Sequence, residues 1–288
     1  MDFVSYLFFL LLVALIGITP FFVLYRLADF VYLVLYKLLG YRKKVVRSNL
    51  KRAFPDKTEE ELLKLEKASY KNLADIFVEG VKGFTVSKKA VLKRHKLLNP
   101  GLLDKYFEKN QPVIILAGHV GNWEWGPLTL PHFIKHRVVG FYKPLSNKYI
   151  DGYVIRSRAK AGSELASIYK TAFYFREYIN DPVAFVMIAD QSPSNINKAI
   201  WVNFLGIETA FLHGPELYAK KYNIPVIFLN LKRVRRGRYE YSIELMFENP
   251  ADTKSGEITQ AYALKMEEMI KNDPSSWLWS HKRWKHSR

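Results

Sequence analysis

His119 and Glu124 are the two residues whose types and spacing could do chemistry together. An imidazole can take a proton from a hydroxyl near neutral pH. A carboxylate that accepts a hydrogen bond from one ring nitrogen fixes the tautomer and leaves the other nitrogen free as a general base. On a continuous helix, residues five positions apart lie roughly 140° apart around the axis, so this pair can meet only if the chain bends between them. Gly121 and Asn122 stand between them and tolerate the backbone angles that a bend needs. The chain has no cysteine, which removes thiolate nucleophiles, disulfides and cysteine metal sites together. The expected chemistry is general-base catalysis by His119, oriented by Glu124, with no protein nucleophile beside it.

The elements that must position this pair are legible around it. Val113 to Ala117 is a continuous apolar run of strand-forming residues, broken by Gly118 just before the histidine, which reads as a buried strand delivering His119 to a loop. Downstream, strands are expected at Val138 to Tyr142, Val183 to Ala189, Ile224 to Leu231 and Tyr239 to Phe247. Helices are expected at Ile150 to Ala161, Ile168 to Ile179 and Gly214 to Tyr222. Alternation of this kind implies an α/β class with a mixed sheet flanked by helices, where functional groups gather at the C-terminal ends of strands. His119 and Asp190 both fall at such ends. Upstream, Tyr41 to Pro55 reads as a basic amphipathic helix stopped by Pro55, and Lys57 to Lys82 as helix with Thr58 as N-cap and Glu61 three residues later.

With 288 residues, of which 49% are hydrophobic and 15% aromatic, the chain can bury a sizeable core. Phe3 to Tyr25 contains no charge and is dominated by Phe, Leu, Val and Ile. A helix over that length would cross about 30 Å of hydrocarbon. Basic residues from Lys37 to Arg52 follow before the next acid, Asp56. The expectation is therefore a single-pass inner-membrane protein: a membrane anchor over 1–39, its 26–39 part lying on the surface or partly buried, and a catalytic domain over 40–288 on the cytoplasmic side. The net charge of +17 is uneven, with clusters at Lys232, Arg233, Arg235, Arg236 and Arg238 and at Lys282, Arg283, Lys285 and Arg288. Next to a membrane anchor, anionic membrane lipids are the expected partner of such patches. Nucleic acid is not, because no helix-turn-helix, zinc-finger or ribonucleoprotein motif is present.

At the residue level, His119 followed four residues later by an acid resembles the His-x4-Asp/Glu signature of the glycerolipid and lysophospholipid acyltransferases. The intervening Val-Gly-Asn-Trp looks like the lipid A biosynthesis (lauroyl or myristoyl) acyltransferase branch. Five further blocks resemble that branch in order: Asn49 to Pro55, Arg158 with Gly162, Asp190-Gln191 after a strand, Phe204 to Pro215 with Thr209 and Gly214, and the closing Trp277 to Lys285. The resemblance implies transfer of a fatty acyl chain from an acyl carrier protein thioester to a hydroxyl of a glycolipid acceptor. It implies that Arg158 or Arg156 holds a phosphate or the developing oxyanion, with Asp190 orienting one of them. Gln191, Thr209 and Gly214 would lie against the substrate. His213 and Glu216 depart from the pattern. They leave open another lipid acceptor, such as a lysophospholipid, an aminolipid or another glycolipid; a non-enzymatic basic membrane adaptor is the separate alternative.

Other candidates are weaker. His132 and His136 stand four apart, yet no third ligand has zinc-site spacing. There is no Gly-x-Ser-x-Gly elbow, phosphate-binding loop or Gly-x-Gly-x-x-Gly fingerprint. His281 and His286 read as packing or head-group contacts. No metal and no cofactor is expected.

Overall fold

A computed structural model describes residues 2–288. Four α-helices come first: α1 (Asp2–Ile18), α2 (Phe21–Leu33), which runs on into a π-helical turn at Val34–Leu38, α3 (Lys43–Ala53) and the long α4 (Glu59–Lys82). Then follow β1 (His95–Leu97), β2 (Val113–Ala117), β3 (Arg137–Tyr142), α5 (Lys148–Lys160), β4 (Ser163–Ser167), α6 (Thr171–Glu177) and β5 (Val183–Ile188). A hairpin of β6 (Ile200–Phe204) and β7 (Ile207–Phe211) leads to α7 (Gly214–Tyr222), β8 (Val226–Arg235), β9 (Arg238–Phe247) and α8 (Glu257–Asn272).

Seven strands form one mixed sheet in the order β1-β9-β8-β2-β5-β3-β4, and β6 and β7 pair separately. Only β8 and β9 run antiparallel within the large sheet. The mixed α/β class is therefore as expected. β2 lies in the middle, parallel to both β5 and β8, and all five of its residues are buried, which is why it reads as an unbroken apolar run. Its register with β5 pairs Ala117 with Ile188, so the residues just beyond each strand emerge side by side at one edge.

The expected membrane span is not there. Among the described residues no helix is long and apolar enough to cross a membrane. The uncharged run is cut by Pro20, whose extended backbone (ψ 151°) separates α1 from α2, as the missing proline N–H and fixed φ dictate. Lys82 Nζ closes the end of α1 by donating to the carbonyls of Ile16, Gly17 and Thr19 (3.2, 2.5 and 2.9 Å). α1 packs on α4 and α5, and α2 on α4, burying Val13, Ile16, Leu24 and Ala28. The single-pass inner-membrane placement read from the sequence is thus overturned.

α4 is the brace of the fold. Its N-terminus carries the full capping box, Thr58 accepting from the Glu61 N–H while Glu61 accepts from the Thr58 N–H, as the sequence suggested. Part of the basic cluster is spent on it. Arg233 donates to Asn72 and Asp75 (2.7 and 2.5 Å), and Arg236 donates to Asp75 and to Asp29 of α2. These two arginines hold elements together and are not free for anionic lipid.

Candidate functional site

His119 leaves the end of β2 behind Gly118, where a Cβ would come within 2.3 Å of Met266 on α8. Any larger residue there would have to displace the end of that flexible side chain. Beyond the histidine, Gly121 adopts a left-handed turn (φ +55°), and Asn122 caps the short turn Trp123–Trp125 by accepting from the Trp125 N–H at 3.1 Å. The expected bend at Gly121 and Asn122 is present. It carries Glu124 away from the imidazole and toward α4 and α5. The Glu124 stem lies against Gly80, and its carboxylate accepts from Arg158 Nη2 at 3.2 Å.

The orienting group of His119 is Asp190. Parallel pairing of β2 and β5 delivers it beside the histidine. Asp190 Oδ1 accepts from His119 Nδ1 at 2.6 Å, and Oδ2 accepts from the His119 main-chain N–H at 2.9 Å. Oδ2 also accepts from Trp277 Nε1 at 2.8 Å. Asp190 is buried, whereas 18% of the His119 side chain remains exposed. With the carboxylate on Nδ1, that nitrogen carries the proton and Nε2 keeps its lone pair. The Gln191 amide lies 3.3 Å from Nε2, and the Trp123 ring packs edge-on at 5.1 Å.

The electrostatics follow from this geometry. Burial disfavours the His119 imidazolium, but the Asp190 charge and hydrogen bond, helped by Glu124, outweigh it and hold the pKa above the ordinary 6.5. Burial also works against the Asp190 carboxylate. The histidine, the indole and the main-chain N–H prevail and keep it below the usual range.

Of the two arginines, Arg158 is buried at 3% exposure, its guanidinium 5.3 Å over the Phe84 ring. Among the described residues its Nη1 has no hydrogen-bond partner. Burial pulls its pKa down against the pull of Glu124. Arg156 is exposed and folds back over Gly152. Asp190 orients the histidine rather than either arginine.

The remaining expected residues are apart from this cluster or structural. Thr209 is buried in β7, donating to the Ile207 carbonyl and accepting from Trp284 Nε1 at 2.9 Å. Gly214 opens α7 near Met187 of β5. Glu216, the departure that left the acceptor open, caps α8 from outside: it accepts from the N–H groups of Gly256 and Thr259 and from the Thr259 hydroxyl (2.6, 2.9 and 2.7 Å). His136 bonds the Gln111 carbonyl, and among the described residues no cluster of three His, Asp or Glu side chains is placed to hold a metal ion.

Two residues escaped sequence reasoning. Glu79, fully buried in α4, accepts from Asn122 Nδ2 (2.7 Å), Tyr239 OH (2.8 Å) and Tyr25 OH (2.8 Å), tying the motif loop to β9 and α2. Burial pushes its pKa up to about 7 against those three hydrogen bonds. A carboxylate among apolar helix positions was the only signal. Trp277 sits in the closing aromatic block, but nothing local links it to Asp190.

A search of curated proteins gives no match. The family model for bacterial lipid A biosynthesis acyltransferases matches residues 2–286. With that match spanning nearly the whole chain, and with a histidine held by a buried carboxylate at the end of its central strand, the protein belongs to the bacterial lipid A biosynthesis acyltransferase family.

Proposed function

We propose that the protein moves a fatty acyl chain from an acyl carrier protein thioester to a hydroxyl of a lipid A precursor, with His119 as general base. The observation that carries this reading is the short Nδ1 contact to Asp190, which leaves Nε2 as the open nitrogen at the sheet edge. Nε2 takes the proton of the acceptor hydroxyl as its oxygen attacks the thioester carbonyl carbon. The tetrahedral oxyanion collapses, the carbon–sulfur bond breaks, and the proton passes from Nε2 to the departing thiolate. Asp190 stays ionised throughout and stabilises the imidazolium.

Gln191 gives up its contact with Nε2 when the acceptor arrives, and its amide is then free to donate to a substrate oxygen. Arg158, with one unpartnered nitrogen and a half-exposed counter-ion in Glu124, is suited to a phosphate on the acceptor. The basic balance of the chain suits an acidic carrier protein as donor.

The test is acyl transfer from acyl carrier protein to a lipid A precursor by wild type, His119→Ala and Asp190→Asn at matched folded concentration. Both variants are expected to lose roughly 10²-fold to 10⁴-fold, the span of general-base catalysis. Wild-type turnover in His119→Ala ends this mechanism.

A further inference from the structure

The C-terminal tail reaches back across the molecule to the histidine. Val120 and Trp277 form an isolated antiparallel bridge. On either side of it, the Gly121 N–H donates to the Ser276 carbonyl at 2.9 Å and the Leu278 N–H donates to the His119 carbonyl at 3.1 Å. Asn72 of α4 donates to the same Ser276 carbonyl at 3.2 Å, pinning the tail from below. Trp277 is buried in an aromatic cluster with Phe204, Trp279 and Trp284. From there its indole N–H meets Asp190 Oδ2.

We infer that Trp277 is a positioning residue for the His119–Asp190 pair, reserving Oδ1 of the carboxylate for the imidazole while its own backbone segment fixes the histidine's main chain. The inference rests on the general-base reading above. A carboxylate has two oxygens with about four lone-pair sites, any of which can face an imidazole. Oδ2 is instead occupied from two directions, by the His119 N–H and the Trp277 N–H. The indole also draws electron density from the carboxylate, which moderates how strongly Asp190 raises the basicity of His119.

Removing that donor therefore makes Asp190 a stronger acceptor and moves the His119 titration to higher pH. Other titratable groups face the pair from the elements around it: the charged Glu124 from the motif loop and Arg283 from the tail, and Tyr262 from α8 and His281 from the tail, which burial keeps neutral. All of them stay in place in the variants used.

The experiment is an NMR titration of the His119 ring nitrogens in wild type, Trp277→Phe and Trp279→Phe, paired with the pH profile of kcat/KM for acyl transfer. Trp279→Phe is the control. It removes an indole from the same cluster whose N–H goes to the Pro274 carbonyl, and so reports what loosening the aromatic packing does by itself. The expected result is an upward shift of the His119 midpoint in Trp277→Phe alone, with the acid limb of kcat/KM moving by the same amount. An unchanged or lowered midpoint, or the same shift in Trp279→Phe, overturns the inference. The titration needs no substrate. Absent acyl transfer in wild type would therefore count against the proposed function, while the midpoints still decide the role of Trp277.

Discussion

A general base of this kind needs one imidazole nitrogen filled and the other open, and the residue that fills it must be charged to stabilise the proton gained. Asp190 meets both needs, whereas the Glu124 carboxylate is turned to Arg158 and adds its charge from a distance. The two acids should therefore separate in kinetics. Asp190→Asn keeps shape but not charge and should reduce kcat by about 10²-fold or more, with the His119→Ala/Asp190→Asn double variant little worse than His119→Ala because the two act as one unit. Glu124→Gln leaves the buried Arg158 without its counter-ion. Its loss, on the order of tenfold for one charge-assisted hydrogen bond, should appear in KM for a phosphorylated acceptor more than in kcat. Steady-state kinetics with varied acceptor distinguishes these outcomes. Losses of equal size and kind in the two single variants would mean that Glu124 works on the imidazole after all.

At the scale of elements, what could be read from the sequence was whatever a local pattern encodes. The apolar run of β2, the glycine that ends it, the bend at Gly121 and the Thr58 capping box each lie within a few residues of their cause. The partner of His119 did not, because Asp190 stands 71 positions away and only the β2–β5 register brings it alongside. The spanning helix failed for a related reason: hydropathy sums the residues from Phe3 to Tyr25, whereas Pro20 and packing on α4 decide what they form. Short β1 and β4 and the β6–β7 hairpin carry too little apolar alternation to stand out. The element that organises the site, α4, acts through Glu79. Glu79→Ala strands three donors, Tyr25, Asn122 and Tyr239, and should cost at least about 3 kcal/mol of stability. Thr58→Ala removes a single exposed cap and should cost about 1 kcal/mol. Denaturant unfolding of the two variants checks the order, and the reverse order would show that the α4 cap matters more than its grip on the motif loop.

Across the whole molecule, two buried groups with opposite displacements set how stability responds to acid. Burial pushes His95, which lies against Tyr241 and bonds Thr129 at 2.8 Å, down to about 3 from its ordinary 6.5. Between pH 4 and 6 the unfolded chain therefore holds a proton on His95 that the folded chain does not, so His95 makes stability rise with pH through that window. Glu79 does the opposite. Its folded pKa of about 7 lies above the ordinary 4.5, so the folded chain holds the extra proton between those values, and the stability it contributes is full below 4.5 and lost as pH rises toward 7. Each proton is worth about 1.4 kcal/mol per pH unit. Urea unfolding at pH 4.5, 5.25 and 6 should consequently show a shallower rise of stability with pH in His95→Gln than in wild type, and a steeper one in Glu79→Gln, by up to about that amount in each case. The comparison is between slopes, so the constant cost of each substitution and the contributions of His281, His136 and His132, whose pKa values are also lowered, drop out. Wild-type slopes in both variants would mean that neither group keeps its unusual protonation in the folded protein, and a steeper rise in His95→Gln would reverse the sign of its burial effect.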